Sequence, residues 1–407
     1  MVVVKDAVHG NIKVGELERR LMDTAELQRL RGVKQLGMTY LVYPGANHTR
    51  FEHALGTMHI TGQFCEAMGL GQAETARLRA AALLHDVGHL AFSHESEAAF
   101  AKILGGGHEE LGARRILKGE IAEVLTDAGI SPREIVALMM GRGKGQVIAG
   151  DVGADRIDYL LRDAHYTGVA YGVIDAQRII HTARLGKEGS AGKAGAGKRG
   201  AQETLVLQWG GLEAAESLLI ARYLMFSTVY MHHAVRIAAS MLRRAMERAF
   251  DEKLLGTEMA LELDDASMMA ILGEDGKAAE LSQRVQSRRL YKRAAVLWWS
   301  RMRPKGQRIF TSRKGCGEME KKLEQKAGLG ADDVIIDVCE DYGKGSSVRI
   351  LMEDGKVVPL AEVSAIVNSI SLAEQRRWRA IVACDEANVE KVKKASKTSF
   401  KGLAGSQ

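Results

Sequence analysis

The run Leu83-Leu84-His85-Asp86-Val87-Gly88-His89 sets an imidazole beside a carboxylate where an apolar helical pattern stops. From Arg77 to Leu84, the residues Leu78, Ala81, Ala82, Leu83 and Leu84 supply a buried face. Gly88 then breaks the pattern. Neighbouring helical residues point about 100° apart, so a cation near the end of the helix axis can take one ligand from each. Imidazole nitrogen with carboxylate oxygen suits zinc, iron, manganese or nickel better than calcium. A mononuclear site needs three or four ligands, and two more are on offer. His53 stands on the otherwise apolar face of Thr49-Arg50-Phe51-Glu52-His53-Ala54-Leu55-Gly56, and Asp155 lies in Gly153-Ala154-Asp155-Arg156-Ile157-Asp158-Tyr159. Alone, His53 reads as a core histidine and Asp155 as a surface charge; together they complete H…HD…D. Seven of the twelve histidines fall between His48 and His108. Even scatter would put about two there, so the cluster marks a place for metal or proton chemistry.

The elements that must carry these residues are mostly helical. Val2 to Val14 alternates around His9-Gly10 and predicts a short hairpin. Helices are expected over Val14–Gln35, Arg50–Met68, Gln72–Asp86, Glu97–Ile103, Glu109–Leu117, Ile121–Ala128 and Pro132–Met140. Leu36 to Pro44 reads as extended or loop. Val147 to Ala164 reads as one amphipathic helix with Asp151, Asp155 and Asp158 on a single face. Two strands, Ile179–Leu185 and Glu203–Gln208, flank a Gly/Ala/Lys tract at 186–201 that lacks the order of a phosphate loop and reads as a mobile hairpin tip. Gly211–Ala249 and Leu261–Leu272 are helical. From about Arg308 the pattern shifts to alternating helix and strand, so residues 306–407 are expected to form a small α+β unit behind a 1–305 main domain, with the tail from Lys397 frayed.

Composition narrows the class. Hydrophobic content of 46% and charged content of 27% are those of a soluble globular chain, and no apolar run reaches the length of a membrane span. Cys65, Cys316, Cys339 and Cys384 form no CxxC pair and read as reduced cytoplasmic thiols. The net charge of +6 is mild. Arg284 to Lys305 holds eight basic residues and no acid, with Tyr291, Trp298 and Trp299 among them. Such a stretch could bind nucleotide phosphates or face solvent; nucleic acid is the less favoured partner.

The H…HD…D pattern is the signature of the HD superfamily of metal-dependent phosphohydrolases. The flanking residues resemble its deoxynucleoside triphosphate triphosphohydrolase branch: Gln28-Arg29-Leu30-Arg31-Gly32-Val33-Lys34-Gln35-Leu36-Gly37, then Tyr43-Pro44-Gly45-Ala46-Asn47-His48-Thr49-Arg50-Phe51-Glu52-His53, and the later Val229-Tyr230-Met231-His232. The likeness runs in order over about residues 1 to 300. It implies a mainly α HD-domain helical fold with small β-hairpins. It implies that His53, His85, Asp86 and Asp155 hold a divalent transition metal (Mn, Fe, Ni, Co or Zn), with Mg accompanying the nucleotide. His94 and His108 resemble the catalytic histidines, with the acid role given to His94. Glu97 would support that histidine, and His89 would touch phosphate.

By the same resemblance, Arg50, Arg156 and Arg222 would cradle phosphates, Tyr159 and Asp163 would lie near sugar and phosphates, and Gln35, Leu36 and Tyr230 would read the sugar. Asp23, Gln28, Arg31, Arg288 and Lys292 match an effector site for GTP or a dNTP, which in relatives forms between subunits and implies a homodimer or homotetramer. Two positions depart from the allosteric pattern: Val2-Val3 where a lysine is usual, and Ala7 in place of proline. The implied function is a cytoplasmic dNTP triphosphohydrolase. The alternatives are an HD enzyme acting on a nucleoside monophosphate or cyclic nucleotide, and a non-catalytic nucleotide or nucleic-acid binder.

Overall fold

A computed structural model describes residues 2–187, 203–274, 276–338 and 346–403. The chain opens with the expected hairpin, Val2–Asp6 antiparallel to Gly10–Val14 with Val4 opposite Ile12. Helix Arg50–Ala67 begins at a capping box, because the Thr49 hydroxyl accepts from the Glu52 N–H while Glu52 accepts from the Thr49 N–H. Helix Gln72–Leu84 packs along it, burying Phe51, Ala54, Leu55 and Met58 against Leu78, Ala81 and Leu84. Helix Ala154–Thr167 crosses the other side of the same helix and closes at Gly168, whose φ of +71° is the left-handed cap that glycine adopts without strain.

Several expectations change here. The Val147–Ala164 helix is broken: Gln146–Ala149 stops before Gly150, and the next helix starts at Ala154. Asp151 therefore lies outside the helix that carries Asp155 and Asp158. Leu36–Pro44 contains a short 3₁₀ turn, Gly37–Leu41. Gly211–Ala249 is divided into Leu212–Met225, a π-helical turn Phe226–Tyr230, and His233–Asp251. The Gly/Ala/Lys tip at 186–201 lies, beyond Lys187, outside the described residues.

The division at 305/306 does not separate two sheets. Strands Val334–Val338 and Arg379–Cys384 join Lys292–Trp298 in one antiparallel sheet. The three-residue strand Arg349–Leu351 lies parallel to Glu203–Gln208, with Leu207 opposite Ile350. Strands this short do not bury an apolar face alone. Ile335, Ile381 and Ala383 share a core with Phe92, Phe100, Met241 and Leu242. Val348, Ile350 and Leu360 share another with Ile60, Phe64 and Leu160.

The basic stretch is also rearranged. Arg284 pairs with Asp385, and Lys292 lies 3.9 Å from Glu386, so acids from the far end of the chain offset it. Cys65, Cys316 and Cys384 are buried thiols. Among the described residues, no helix is long and apolar enough to cross a membrane.

Nor is the tail frayed through Phe400. Helix Val389–Phe400 buries Phe400, and Leu403 follows it into the core around Phe310, Met319 and Leu323. The Leu403 carbonyl accepts from the Arg303 N–H at 2.8 Å. Phe400→Ala is expected to lower the unfolding free energy by about 3 kcal/mol, read as a drop in the urea midpoint; a loose tail would leave the midpoint unmoved.

Candidate metal centre and its proton arm

Helix Arg50–Ala67 contributes His53, the end of Gln72–Leu84 contributes His85 and Asp86, and the first turn of Ala154–Thr167 contributes Asp155. The structure brings all four together. His53 Nε2 is 3.0 Å from Asp155 Oδ1 and 3.2 Å from His85 Nε2. His85 Nε2 is 3.3 Å from Asp86 Oδ1. His53 is 1% exposed, Asp86 7%, His85 11% and Asp155 37%, so the cluster opens to solvent on the Asp155 side.

Each imidazole is aimed from behind. His85 Nδ1 donates to the Ala82 carbonyl at 2.7 Å, and His53 Nδ1 donates to Asp158 Oδ2 at 2.7 Å. Both Nε2 atoms thus face inward, where they would present their lone pairs to a cation once deprotonated, the arrangement that orients metal-bound histidines. His53, His85 and Asp86 lie within 4.8 Å of one another and suit a divalent transition metal, and Asp155 stands beside the two imidazoles, 3.0 Å from His53 Nε2 and 3.7 Å from His85 Nε2. Burial opposes charge on His53, but hydrogen bonds to Asp155 and Asp158 outweigh it and push its pKa up to about 10. Asp86 is held well below the usual carboxylate range: burial would raise it, and His85, Arg50 and His89 overcome that.

Asp158 was legible only as one of a stack of acids. In the fold it is fully buried. It accepts from His53, from His9 Nε2 at 2.6 Å, and from Arg162 at 2.9 and 3.0 Å. Arg162 in turn binds Asp6 at 2.8 Å, which ties the opening hairpin to the metal centre. Gly56 makes room for this network, since a Cβ there would sit 1.8 Å from Asp158 Oδ1. The sequence signal that could have found it is the spacing of four from Asp158 to Arg162, which sets an acid and a base on one helical face.

A second cluster adjoins the first. His89 Nε2 is 3.4 Å from Asp86 Oδ1. The His89 ring stacks on His108, with centroids 4.0 Å apart and planes 12° from parallel. His108 Nδ1 donates to Glu97 Oε2 at 2.9 Å, and His94 Nδ1 lies 3.7 Å from the same oxygen. Stacked rings cannot both aim in-plane lone pairs at one ion, so His89 and His108 do not ligate together, although the four side chains His89, His94, Glu97 and His108 lie within 4.8 Å of one another. Hydrogen bonds from His108 and His94 hold Glu97 far below its ordinary value. Burial works against a charge on His108, and Glu97 raises its pKa in spite of that. His94 is 72% exposed and stands just past Phe92 and Ser93, whose φ values of +57° and +53° are left-handed.

The residues expected to meet phosphates are already paired. Arg50 is 4% exposed and donates to Asp86 Oδ2 and to Ser93 Oγ, both at 2.6 Å. Arg156 donates to Asp151 Oδ1 at 2.5 Å. Arg222 donates at 3.1 Å to Glu374, a buried acid from helix Ala365–Arg377 that sequence reasoning missed. On the expected sugar side, Tyr230 donates to Asp163 Oδ2 at 2.5 Å, and His48 Nε2 is 2.8 Å from Asp163 Oδ1. Leu36 and Tyr159 pack at the edge of the same apolar cluster. Gln35 Oε1 is buried without a partner.

The five expected effector residues fall in two groups. Arg31 stacks on Phe51 at 3.7 Å and donates to Gln28, while Asp23 pairs with Arg19. Arg288 donates to the Leu41 carbonyl, and Lys292 lies near Glu386. Among the described residues, no hydrogen bond or ion pair joins the two groups.

Comparison with known proteins identifies the family. The HD domain profile matches residues 50–163, which hold all four donors, and that of the HD-associated region matches residues 174–402, running across position 305. Over 403 residues the chain is 35% identical to an uncharacterised protein of Methanocaldococcus jannaschii, covering 97% of this chain and 81% of that one. It is 31% identical over 232 residues to the deoxynucleoside triphosphate triphosphohydrolase SAMHD1 of Gallus gallus, covering 47% of this chain and 38% of that protein. A crystal structure of a hypothetical protein from Aquifex aeolicus matches with a TM-score of 0.76 at 29% identity, covering 97% of this chain and 99% of that one.

Two outcomes are expected. Asp158→Asn unfixes the His53 ring and lowers metal affinity about 10- to 100-fold, measured by competition with a chelator. The metal takes only the neutral imidazole, and His53 is protonated below its pKa of about 10. Metal uptake near neutral pH is therefore expected to release about one proton from His53, and apparent affinity to climb about tenfold per pH unit until near that pKa. Calorimetry in buffers of different ionisation enthalpy reads this directly.

Proposed function

Since the chain belongs to the HD-domain family of phosphohydrolases, we propose that it hydrolyses deoxynucleoside triphosphates to deoxynucleoside and inorganic triphosphate. The observation that carries this reading is the contact of His89 Nε2 with Asp86 Oδ1, which sets the His89–His94–Glu97–His108 arm against the His53–His85–Asp86 donors, with Asp155 beside them. When bound there, a divalent transition metal supplies Lewis-acid polarisation of a phosphoryl oxygen and of water. Water adds at the α-phosphorus and the bond to the 5′-oxygen breaks. His94, exposed beside Glu97, gives its proton to that oxygen and is recharged through solvent by the proton the attacking water loses, and His108 with Glu97 steadies the arm. Arg156 and Arg222 exchange their carboxylate partners for phosphate oxygens. The unpartnered Gln35 Oε1 accepts from a sugar hydroxyl, and the Tyr230–Asp163–His48 set walls off the opposite side.

In this reading Asp23, Gln28 and Arg31 bind GTP or a dNTP as effector, with Arg288 and Lys292 supplied by a neighbouring subunit of a homodimer or homotetramer. The protein acts in the cytoplasm. One observation favours a smaller phosphoester as substrate: Arg50, Arg156 and Arg222 all have acidic partners, and a monophosphate would leave those pairs intact.

Product analysis separates the two. With each dNTP in manganese, cobalt or magnesium, with and without GTP, the expected products are deoxynucleoside and triphosphate, with turnover abolished in Asp86→Ala. Orthophosphate release from monophosphates, with dNTPs untouched, would overturn the triphosphate assignment and keep the metal site.

A further inference from the structure

The loop that carries His89 and leads into His94 has turns of its own, His89 N–H to the Asp86 carbonyl and Ser93 N–H to the Leu90 carbonyl, and contacts from other segments add to them. Its backbone is pinned from outside at both ends. At the start, Arg29 donates to the carbonyls of Val87 and His89, and also to that of Leu263 at 3.1 Å. Gly88 sits so close to helix His108–Ile116 that a Cβ would fall 2.2 Å from the Gly112 nitrogen. At the far end, the Asp265 carboxylate accepts the Phe92 N–H at 2.7 Å with one oxygen and the Lys34 N–H at 3.0 Å with the other. Phe92 and Ser93 are both left-handed without being glycine. Such residues persist only where the surroundings over-determine them.

Lys34 belongs to the opposite wall. Its segment is fastened to the start of helix Arg50–Ala67 by a bridge to Thr49, by the Arg50 N–H donating to the Val33 carbonyl, and by the Gln35 N–H donating to the His48 carbonyl. One buried carboxylate, 6% exposed, therefore spans the wall that ends in Gln35 and Leu36 and the wall that ends in Ser93 and His94. Ser93 Oγ then receives Arg50 Nε, and Arg50 binds Asp86. The chain of contacts reaches from Asp265 to a metal donor without Asp265 touching the site.

We propose that Asp265 is a positioning residue that fixes the spacing between the Lys34–Leu36 wall and the Phe92–His94 loop, with Arg29 holding the start of the same loop. This rests on the reading that His89 and His94 act on substrate. Both oxygens are needed, because each accepts from a different segment. An asparagine keeps the shape but turns one acceptor into a donor facing an N–H.

The test is Asp265→Asn in the full-length, metal-loaded protein, with the dNTP that the wild type turns over best. The expected result is unchanged metal content, KM within about threefold, and kcat lower by about 10- to 100-fold, the scale of loss for a catalytic group displaced by about 1 Å. Hydrogen exchange is expected to speed up at the Phe92 and Lys34 amides together. Unchanged kcat with both amides still protected overturns the proposal, as does a rise in KM at constant kcat. If the wild type turns over no nucleotide, the functional reading has failed and exchange alone decides: joint acceleration at Phe92 and Lys34 supports the clamp, and unchanged exchange overturns it. Should Asp265→Asn not fold, Arg29→Gln tests the loop from its other end. There, a loss of kcat at constant KM supports the proposal and an unchanged kcat overturns it.

Discussion

The site depends on one buried carboxylate. Asp158 has no exposed surface, yet it gathers donors from His53, His9 and Arg162, and through Arg162 it reaches Asp6. A charge so placed is tolerable only when fully paired. Pairing it requires that the opening hairpin, helix Arg50–Ala67 and helix Ala154–Thr167 meet in one register. That same register aims His53 Nε2 at His85 and Asp155. Stability and metal geometry are thus set by the same contacts, because removing a partner of a buried ion pair typically costs about 3–5 kcal/mol.

Around this centre the protein holds charges in pairs rather than leaving them free. Asp86 is balanced by Arg50, Glu97 by His94 and His108, Arg156 by Asp151, and Arg222 by Glu374. The acids keep the arginines ordered in a half-buried cleft. The second histidine cluster touches the first where His89 Nε2 meets Asp86 Oδ1, and the His89 ring stacks on His108.

Loop geometry provides the remaining precision. His94 follows two left-handed residues and faces solvent, a conformation that local preferences disfavour. Arg29 and Asp265 fasten that loop from elements far away in sequence, and Gly88 and Gly56 remove the side chains that would hold helices and loop apart.

By itself the sequence determined the donor set and the elements that carry it. His85-Asp86 at a helix end and His53 on an apolar face are local patterns that lie where helical periodicity puts them, whereas Asp155, expected in mid-helix, stands in the first turn of a separate helix. The alternation of helix and strand beyond about Arg308 was legible too, and the structure places strands there at Val334–Val338, Arg349–Leu351 and Arg379–Cys384. Only the tertiary structure decided which of them pair and with what. It joined Arg349–Leu351 to Glu203–Gln208, brought Glu374 to Arg222, set Asp385 against the basic stretch at Arg284, and turned Asp151 away from the acids it seemed to accompany. Spacing along a chain reports which residues share one face of one element. Which buried charge finds which partner, and which carboxylate spans two loops, depends on burial and close approach between segments remote in sequence, which periodicity does not encode.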